Sequence, residues 1–546
     1  MQTSLTNEQK TWIDATLEKM SLEQCIGHLL CPEDRGYSPE EWRALASEIP
    51  LGCAFFKMSD LEKDDASIEA VQEAGDIPVL IAADMENGVG TNGNADFPHN
   101  MAFGAADNED LAWSMGRALA RSARSLGVHW SFSPVVDLNL NFQNPVTCTR
   151  AVSDDPERVI RIAGAKIAGM QHDNLLAATA KHFPGDGMDD RDQHLCTSVN
   201  PLPMDVWHST YGAVWRKLID AGVMTIMSGH ISLPHYEDLA EDPDTAMPAT
   251  LNHRLQVDLL RRELGFDGVL VSDAAPMIGI TSRCPSNELA VQNILAGSDV
   301  FLFSHPREDF ARLLEAVREG RLSETRVRES ARRVLALKAR LGLHKGVKAA
   351  PLTAAEHKEF ADTSQQVADR SIAIARNDGH LPVRLPEGAR VVCVDIQYEN
   401  RAQDLTVVVD ELRRRGFDVK HLIRPTHREL RAEAAEADMV FVNFAVAMHQ
   451  RMGTIRMTDE LIMAFWRSFW VDYPNAVFTS FGSPYVLHEL PHLPNLVLAY
   501  SGAAPSQRAA VRVWLGEKEA TGTIPVRLPE TRDFVKNGTF GFPPAT

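Results

Sequence analysis

The feature that most constrains the fold is an alternation of short apolar runs with longer helix-like segments through the first 305 residues. Each run is four to six residues long. Most are apolar at nearly every position, which is typical of strands buried on both faces of a parallel sheet. The runs occupy residues 27–31, 52–56, 79–83, 129–133, 177–182, 223–228, 269–272 and 299–303. The helix-like segments between them include 110–126, 156–173, 206–221, 251–264 and 287–296.

Eight strand–helix alternations over about 300 residues fit a closed (β/α)8 TIM barrel better than an open doubly wound sheet. A second series of apolar runs begins at Ala389, with helical segments between them, and indicates a C-terminal α/β sandwich with a mostly parallel sheet. The sequence therefore predicts a TIM-barrel catalytic domain at residues 1–343, a linker and connecting helix at 344–388, and the sandwich domain at 389–546.

Charge and composition exclude several classes of function. The net charge of -19 disfavours binding to nucleic acids and to anionic membranes. No apolar run approaches the roughly 20 residues that span a bilayer, and the polar N-terminus lacks the apolar segment of a signal peptide. The seven scattered cysteines form no C-x-x-C pair and are typical of reduced thiols. We therefore expect a cytoplasmic protein; the sequence predicts no oligomeric state.

The densest group of proton-handling side chains follows the run at 177–182. Residues 181–187 read KHFPGDG, and Asp192 and His194 come shortly after them. A cation, two imidazoles and several carboxylates thus lie where a strand passes into a loop, which is a common place for a catalytic site. A Pro/Gly turn followed by a solvated acidic loop is the alternative interpretation of this segment alone.

Polar residues also follow four other runs, and in a barrel all these strand ends meet at one rim. Each of these residues also has a purely structural interpretation. Asp273 could cap a helix, Asp84 could close a turn, and His230 could be a core histidine. Arg150 could form an ion pair with Asp154 or Asp155. For Asp137 the preferred interpretation is a structural carboxylate at the end of a strand. Convergence from five strands nevertheless favours a functional site. The spacing of the acidic loop matches no EF-hand, and the histidines form no H-E-x-x-H, so we predict no metal or other cofactor.

Residues 181–187 together with Asp192 and His194 resemble the K-H-F-P-G-x-G…D-x-H signature of glycoside hydrolase family 3, in its β-N-acetylglucosaminidase branch. Further segments from about residue 20 to 530 are similar to other motifs of the family. Residues 84–88 resemble D-x-E-G-G, residues 133–137 resemble APVLD, and residues 264–273 resemble LGFDGVVxSD.

The resemblance implies a retaining, exo-acting β-glycoside hydrolase, most closely a β-N-acetylhexosaminidase, acting on a small β-linked oligosaccharide or glycoside. It implies that Asp273 is the nucleophile and that His194 is the general acid/base, oriented by Asp192. It further implies that the sugar hydroxyls are bound by Asp84, Arg150, Lys181 and His182, and that His230 lines the pocket.

Three positions depart from the family pattern: Asp186 stands where a histidine is usual, Val89 where an arginine is usual, and Ala274 where an aspartate is usual. Three alternatives remain open. The first is a glycoside phosphorylase that releases a sugar 1-phosphate. The second is a β-glucosidase with a glutamate acid/base from the second domain, such as Glu399 or Glu489. The third is a degenerate, sugar-binding member without catalysis.

Overall fold

The computed structural model describes residues 5–88, 97–397, 403–445 and 469–529 of the 546-residue chain. The strands, numbered β1 to β16 in chain order, are Leu30–Cys31, Cys53–Phe55, Leu80–Ala83, Trp130–Ser131, Ala177–Phe183, Ser198–Val199, Thr225–Ser228, Ile231–Ser232, Val269–Ser272, Phe301–Leu302, Ala373–Asn377, Arg390–Ile396, Asp418–Ile423, Met439–Phe444, Val477–Ser480 and Asn495–Leu498. The α-helices, numbered α1 to α19, are Asn7–Lys19, Leu22–Gly27, Pro39–Glu48, Leu61–Gln72, Asn100–Ala106, Glu109–Ser125, Pro156–Met170, Met204–Ser209, Tyr211–Asp220, Ile278–Thr281, Leu289–Ala296, Pro306–Arg318, Glu324–Arg340, Ala354–Ser371, Thr406–Arg414, His427–Ala434, Phe469–Asp472, Val486–Glu489 and Ala504–Trp514.

Eight parallel strands form the N-terminal sheet. Six of them pair in the order β2-β3-β4-β5-β7-β9, and β1 pairs with β10. Parallel bridges between Glu33 and Phe55 and between Val271 and Val300 join the β1–β10 pair to both edges of the six-stranded sheet. The sheet therefore curls so that its edges meet, which confirms the predicted α/β class with a TIM-like parallel sheet.

All eight strands are buried at every position, as expected of largely apolar strands in a parallel sheet covered on both faces; Lys181 and His182 at the end of β5 are the basic exceptions. Several strands are shorter than the apolar runs that predict them. β1 occupies only Leu30–Cys31 of the run at 27–31, because Gly27 is the last residue of α2. The buried residues at the ends of these apolar runs pack in the core but are not hydrogen-bonded as part of a strand.

Two predicted helices differ from the structure. The helix expected over 206–221 is divided into α8 and α9, because Thr210 adopts a non-helical conformation with φ -112° and ψ -95°. The segment 251–264 is largely a π-helix, Arg254–Glu263, rather than an α-helix. Its apolar face is nevertheless buried, since Leu255, Leu259 and Leu260 lie in the core.

The second sheet has six strands in the order β11-β16-β15-β14-β12-β13, all parallel except the edge strand β11, which runs antiparallel to β16. Separate apolar clusters cover its two faces. β11 lies inside the segment 344–388 that the sequence suggested was a linker, so the second sheet begins before residue 389.

None of the helices in the described ranges is both long enough and apolar enough to cross a membrane.

Candidate active site

A cleft of about 760 Å³ opens at the carboxyl ends of the barrel strands. It is the expected position for a binding site on a parallel α/β sheet of this kind. Its lining combines charged groups with aromatic and aliphatic side chains. The lining residues are Glu33, Phe55, Lys57, Asp84, Glu86, Asn87, Gly88, Phe132, Arg150, Lys181, His182, His194, Met227, Asp273, Ala274, Pro276, Met277, Leu302 and Phe303.

The end of β5 presents two consecutive side chains to this cleft. In the ladder with β7, Lys181 pairs with Met227 and Phe183 pairs with Ser228, so the register shifts at His182. A regular strand would direct adjacent side chains to opposite faces, whereas such an irregularity changes their direction. Lys181 and His182 consequently both line the cleft.

The two glycines after β5 are required by close packing. Gly185 and Gly187 both have positive φ, 132° and 105°. A Cβ on Gly185 would lie 2.1 Å from the Tyr211 ring, and a Cβ on Gly187 would lie 1.8 Å from the Leu138 carbonyl oxygen. The turn can therefore fold back tightly and lead the chain towards Asp192 and His194.

His194 lies in the cleft and is held by Asp192. The His194 ring contacts Asp192 through Nδ1, 2.6 Å from Oδ1, and the His194 backbone N–H donates to the same oxygen. The Asp192 side chain is fully buried, whereas 11% of the His194 side chain is exposed. A buried carboxylate on Nδ1 fixes the tautomer and the orientation of the ring.

Asp273 follows β9 and lies at the base of the cleft. Its Oδ1 accepts a hydrogen bond from the Ala274 N–H at 2.7 Å, and its Oδ2 lies 3.9 Å from His182 Nε2. Burial alone raises the pKa of Asp273, but the nearby His182 ring and the Ala274 N–H outweigh it and lower that pKa below the ordinary value. Asp273 is therefore ionised at neutral pH, as a carboxylate nucleophile must be.

A cluster of charges centred on Glu86 also lines the cleft. Both nitrogens of the Arg150 fork bind Glu86, with Nη2 at 2.7 Å and Nε at 3.1 Å. Lys181 Nζ lies 2.9 Å from Glu86 Oε1 and 3.2 Å from Asp84 Oδ1. Burial alone raises the pKa of Glu86, but Arg150 and Lys181 hold it well below its usual range. The result is a fixed array of donors and acceptors suited to sugar hydroxyls.

Glu86 is also supported from outside the cleft. Lys166, on α7, donates to the Glu86 carbonyl oxygen at 2.6 Å and to the Asn100 side-chain oxygen at 2.7 Å. Burial lowers the pKa of Lys166 to about 7. The loop that carries Asp84 and Glu86 is thus anchored by a buried amine.

Asp137 orients His182, which adds a role to the structural one preferred from sequence. Its Oδ2 lies 2.7 Å from His182 Nδ1, and its Oδ1 accepts the backbone N–H groups of His182 and Asp186. The Asp137 side chain has no exposed surface. The ring of His182 is therefore fixed with Nε2 towards Asp273.

His230 does not line the cleft, contrary to the expectation. It is fully buried, with Nδ1 2.9 Å from the Thr250 hydroxyl and Nε2 3.0 Å from the Ala274 carbonyl oxygen. Because both ring nitrogens are engaged by the protein, the ring supports the turn after Asp273 instead of contacting a ligand.

Asp186, the residue in place of the usual histidine, is also turned away from the cleft. Its Oδ1 accepts from the Asn144 side chain at 2.9 Å and from the Gly187 N–H at 2.7 Å, while nothing among the described residues hydrogen-bonds Oδ2. Burial and the neighbouring Asp137 raise the pKa of Asp186 to about 7.

Six of the eight predicted site residues line the cleft, and Asp192 lies directly behind His194. Glu86, Glu33 and Lys57 also line the cleft but were not among the predicted site residues. Glu86 could have been found, since it lies two positions after Asp84 in the same strand-end loop. Glu399 and Val89 lie outside the described residues, and Glu489 ends α18 without lining the cleft. In the described ranges, no three His, Cys, Asp or Glu side chains are grouped as a metal site would be.

Comparison with known proteins identifies the family of the chain. The glycosyl hydrolase family 3 N-terminal domain matches residues 52–337. A β-N-acetylglucosaminidase/β-glucosidase from Cellulomonas fimi is 32% identical over 96% of both chains. Among solved structures, a β-glucoside phosphorylase superposes with a TM-score of 0.85 at 29% identity, covering 96% of this chain and 98% of its own. A family 3 β-N-acetylglucosaminidase from Paenibacillus sp. has a TM-score of 0.81 at 26% identity, covering 93% and 99%.

The family match covers more than half of the chain, and the Cellulomonas relative spans nearly all of it. The chain therefore belongs to glycosyl hydrolase family 3 and is a glycoside hydrolase.

Proposed function

We propose that the protein is a retaining, exo-acting β-glycosidase, most closely a β-N-acetylhexosaminidase, with Asp273 as nucleophile and His194 as acid/base. The observation that carries the proposal is that an ionised Asp273, a His194 held by the buried Asp192, and a fixed charge cluster meet in one cleft. The relative from Cellulomonas fimi, named for both N-acetylglucosaminidase and glucosidase activity, supports the same class of substrate.

The first step breaks the glycosidic bond. A carboxylate oxygen of Asp273 forms a bond to the anomeric carbon as the C–O bond to the aglycone breaks, and protonated His194 transfers its proton to the departing oxygen. Because Asp192 engages Nδ1, the proton exchanged with the substrate is the one on Nε2 of His194.

The second step releases the sugar. Water attacks the anomeric carbon, His194 takes a proton from that water, and the bond to Asp273 breaks. The product keeps the β configuration, and both side chains return to their starting states. During both steps Arg150, Lys181 and Asp84 hold the sugar hydroxyls, while Glu86 fixes the two cations.

The test is hydrolysis of a panel of 4-nitrophenyl β-glycosides by the wild type and by Asp273→Ala and His194→Ala variants. We expect each variant to lose at least about a hundredfold in rate. The control is His253→Ala, which changes an exposed histidine away from the cleft. Wild-type rates in both cleft variants would refute the assignment, and any turnover that depends on Asp273 excludes the degenerate, non-catalytic alternative.

Phosphate is the second candidate acceptor, because the protein shares its fold with a solved β-glucoside phosphorylase. A neutral histidine base repels an incoming phosphate less than a carboxylate base does. In the phosphorylase reaction, phosphate attacks the anomeric carbon, the bond to Asp273 breaks, and a sugar 1-phosphate is released. Sugar 1-phosphate among the products in phosphate buffer supports this acceptor, and free sugar as the sole product removes it.

The substrate panel also tests the β-glucosidase alternative. Preference for β-glucosides over N-acetyl-β-glucosaminides would favour it, although the Asp192–His194 pair makes a glutamate acid/base from the second sheet unnecessary.

We further propose that residues 1–343 form the catalytic barrel domain, that 344–388 form the connection, which also contributes the edge strand β11, and that 389–546 form the rest of a second α/β domain. The second sheet supports this division, because most residues of the two apolar clusters on its faces come from residues 368–526; Met101, Ala102, Ala105 and Cys148 are the members from the first 343 residues. Limited proteolysis that releases a stable fragment ending near residue 343 would support it; cleavage within residues 269–302 as the first event would contradict it.

A further inference from the structure

The loop that carries Arg150 reaches from the cleft to the second sheet. Residues 138–155, called here the 138–155 loop, follow β4 and carry Arg150. Within this loop Arg150 is held by its own neighbours: its backbone N–H donates to the Thr147 carbonyl oxygen at 2.7 Å, and its Nη1 donates to the Val146 carbonyl oxygen at 3.2 Å. The position of the Arg150 fork therefore depends on the conformation of this loop.

The same loop packs against residues of the second sheet. The ring of Phe142 stacks on the ring of His488, with centroids 3.9 Å apart and planes 9° from parallel. Cys148, two residues before Arg150, is 1% exposed and belongs to the apolar cluster that contains Tyr485 and Leu487. The turn that carries Arg150 is thus partly built on the segment 485–488.

Hydrogen bonds fasten the far end of the loop to the C-terminal segment. The Ser153 hydroxyl donates to the Pro525 carbonyl oxygen at 2.5 Å, and the Arg527 N–H donates to Asp154 Oδ2 at 2.9 Å. These contacts hold the loop at residues 153–154, and the aromatic stack holds it at residue 142, so Arg150 lies between two points of attachment.

We infer that His488 is a positioning residue for sugar binding: its stack on Phe142 fixes the 138–155 loop so that the Arg150 fork meets Glu86 in the cleft. Burial lowers the pKa of His488 to about 4, and the ring therefore packs as a neutral aromatic over the working pH range. The inference rests on the proposed function, because it assigns Arg150 a role in binding the sugar.

The kinetic test uses the full chain and 4-nitrophenyl N-acetyl-β-glucosaminide. We expect His488→Ala to raise KM about two- to tenfold, the range that a stacked aromatic pair accounts for. The pH dependence of kcat should stay unchanged, because the Asp192–His194 pair is intact. His488→Phe should restore the wild-type KM, since a flat apolar ring can replace the stack.

A double-mutant cycle with Arg150→Ala separates positioning from a general loss of structure. If His488 acts through Arg150, His488→Ala adds almost nothing to KM in the Arg150→Ala background. Equal effects in both backgrounds would overturn the inference. His421→Ala is the matched control, because His421 is a partly buried histidine that pairs with Asp395 within the second sheet. A rise in KM for that control as large as for His488→Ala would also overturn it.

Amide hydrogen exchange tests, without a substrate, whether His488 holds the 138–155 loop in place. Peptides from residues 138–155 should exchange faster in His488→Ala and at the wild-type rate in His488→Phe. Unchanged exchange in His488→Ala would refute the positioning role even in an active enzyme. If the wild type turns over no β-glycoside but exchange responds as expected, the proposed function fails and the loop attachment stands.

Discussion

Glu86 and Asp84 contact the same ammonium group, and their substitution should separate stability from activity. Glu86→Gln and Asp84→Asn each replace a carboxylate by an amide of nearly equal size. Lys181 Nζ lies at similar distances from both, 2.9 Å and 3.2 Å. The surroundings differ, because 15% of the Glu86 side chain is exposed but 55% of the Asp84 side chain.

The magnitudes follow from this difference in exposure. Removal of the Glu86 charge leaves Arg150 and Lys181 buried without their shared counter-ion, and loss of one partner of a buried pair costs about 3–5 kcal/mol. Lys166 binds the backbone carbonyl oxygen of Glu86 and not its carboxylate, so it does not replace the lost charge. Removal of the Asp84 charge breaks an ion pair that is open to solvent, which costs about 0–1 kcal/mol.

The assay is urea unfolding followed by tryptophan fluorescence, with kcat/KM measured on the same preparations. Both variants should lose about ten- to hundredfold in kcat/KM, because each loses a charged hydrogen-bonding group of the cluster. The free energy of unfolding should fall by at least about 2 kcal/mol more in Glu86→Gln than in Asp84→Asn. Stabilities that agree within about 0.5 kcal/mol would show that burial of Glu86 does not hold the cluster together.

Three further outcomes are expected. Asp186 has a pKa of about 7 in the folded protein, above the ~3.9 of an unfolded chain, so the folded state loses stability as pH rises from about 4 to 7. Asp186→Asn removes this loss, so its stability relative to the wild type should increase between pH 5 and 7.5 in urea unfolding experiments. A difference in the free energy of unfolding that does not change with pH would contradict this prediction. The pKa of Lys166 is lowered to about 7, below the ~10.4 of an unfolded chain, so its linkage has the opposite sign. In the wild type the free energy of unfolding should rise between about pH 7 and 10, and Lys166→Met should abolish that rise. If the variant shows the same pH dependence of stability as the wild type, Lys166 is not a buried amine with a lowered pKa. Asp192→Asn should lower kcat about 10²- to 10⁴-fold with little change in KM, because His194 loses the carboxylate that orients it; steady-state kinetics that match the wild type would remove Asp192 from the mechanism.

The regular recurrence of apolar runs was sufficient to predict the barrel strands, because a strand buried on both faces is apolar at most positions. The same signal fails where burial and hydrogen-bond pairing do not coincide. β11 is one such case: of Ala373–Asn377 only Ala373 is buried, and the strand ends in Arg376 and Asn377, so it lacks a continuous apolar run. Its place at the antiparallel edge of the sheet explains that composition, since an edge strand is covered on fewer sides.

Strand ends were also a sound guide to the site, because parallel strands deliver their following residues to one rim. The rule cannot tell which way a side chain turns after the strand. Asp273 faces the cleft, whereas His230 turns beneath it to bind Thr250 and the Ala274 carbonyl oxygen. The rule also does not show which charged groups pair with one another. The position of Glu86 between Arg150 and Lys181 is therefore known only from the interatomic distances in the structure.

The departure at Asp186 bears on the support of the site more than on the choice of sugar. Asp186 lies outside the cleft lining, and its backbone N–H donates to Asp137, the carboxylate that orients His182. Its influence on a bound sugar must therefore pass through two hydrogen-bonded residues before it reaches the cleft. Selection between an acetamido group and a hydroxyl has to be made by groups that touch the sugar. The sequence change at Asp186 is accordingly compatible with either substrate, and its physical consequence is a pH-dependent cost to stability.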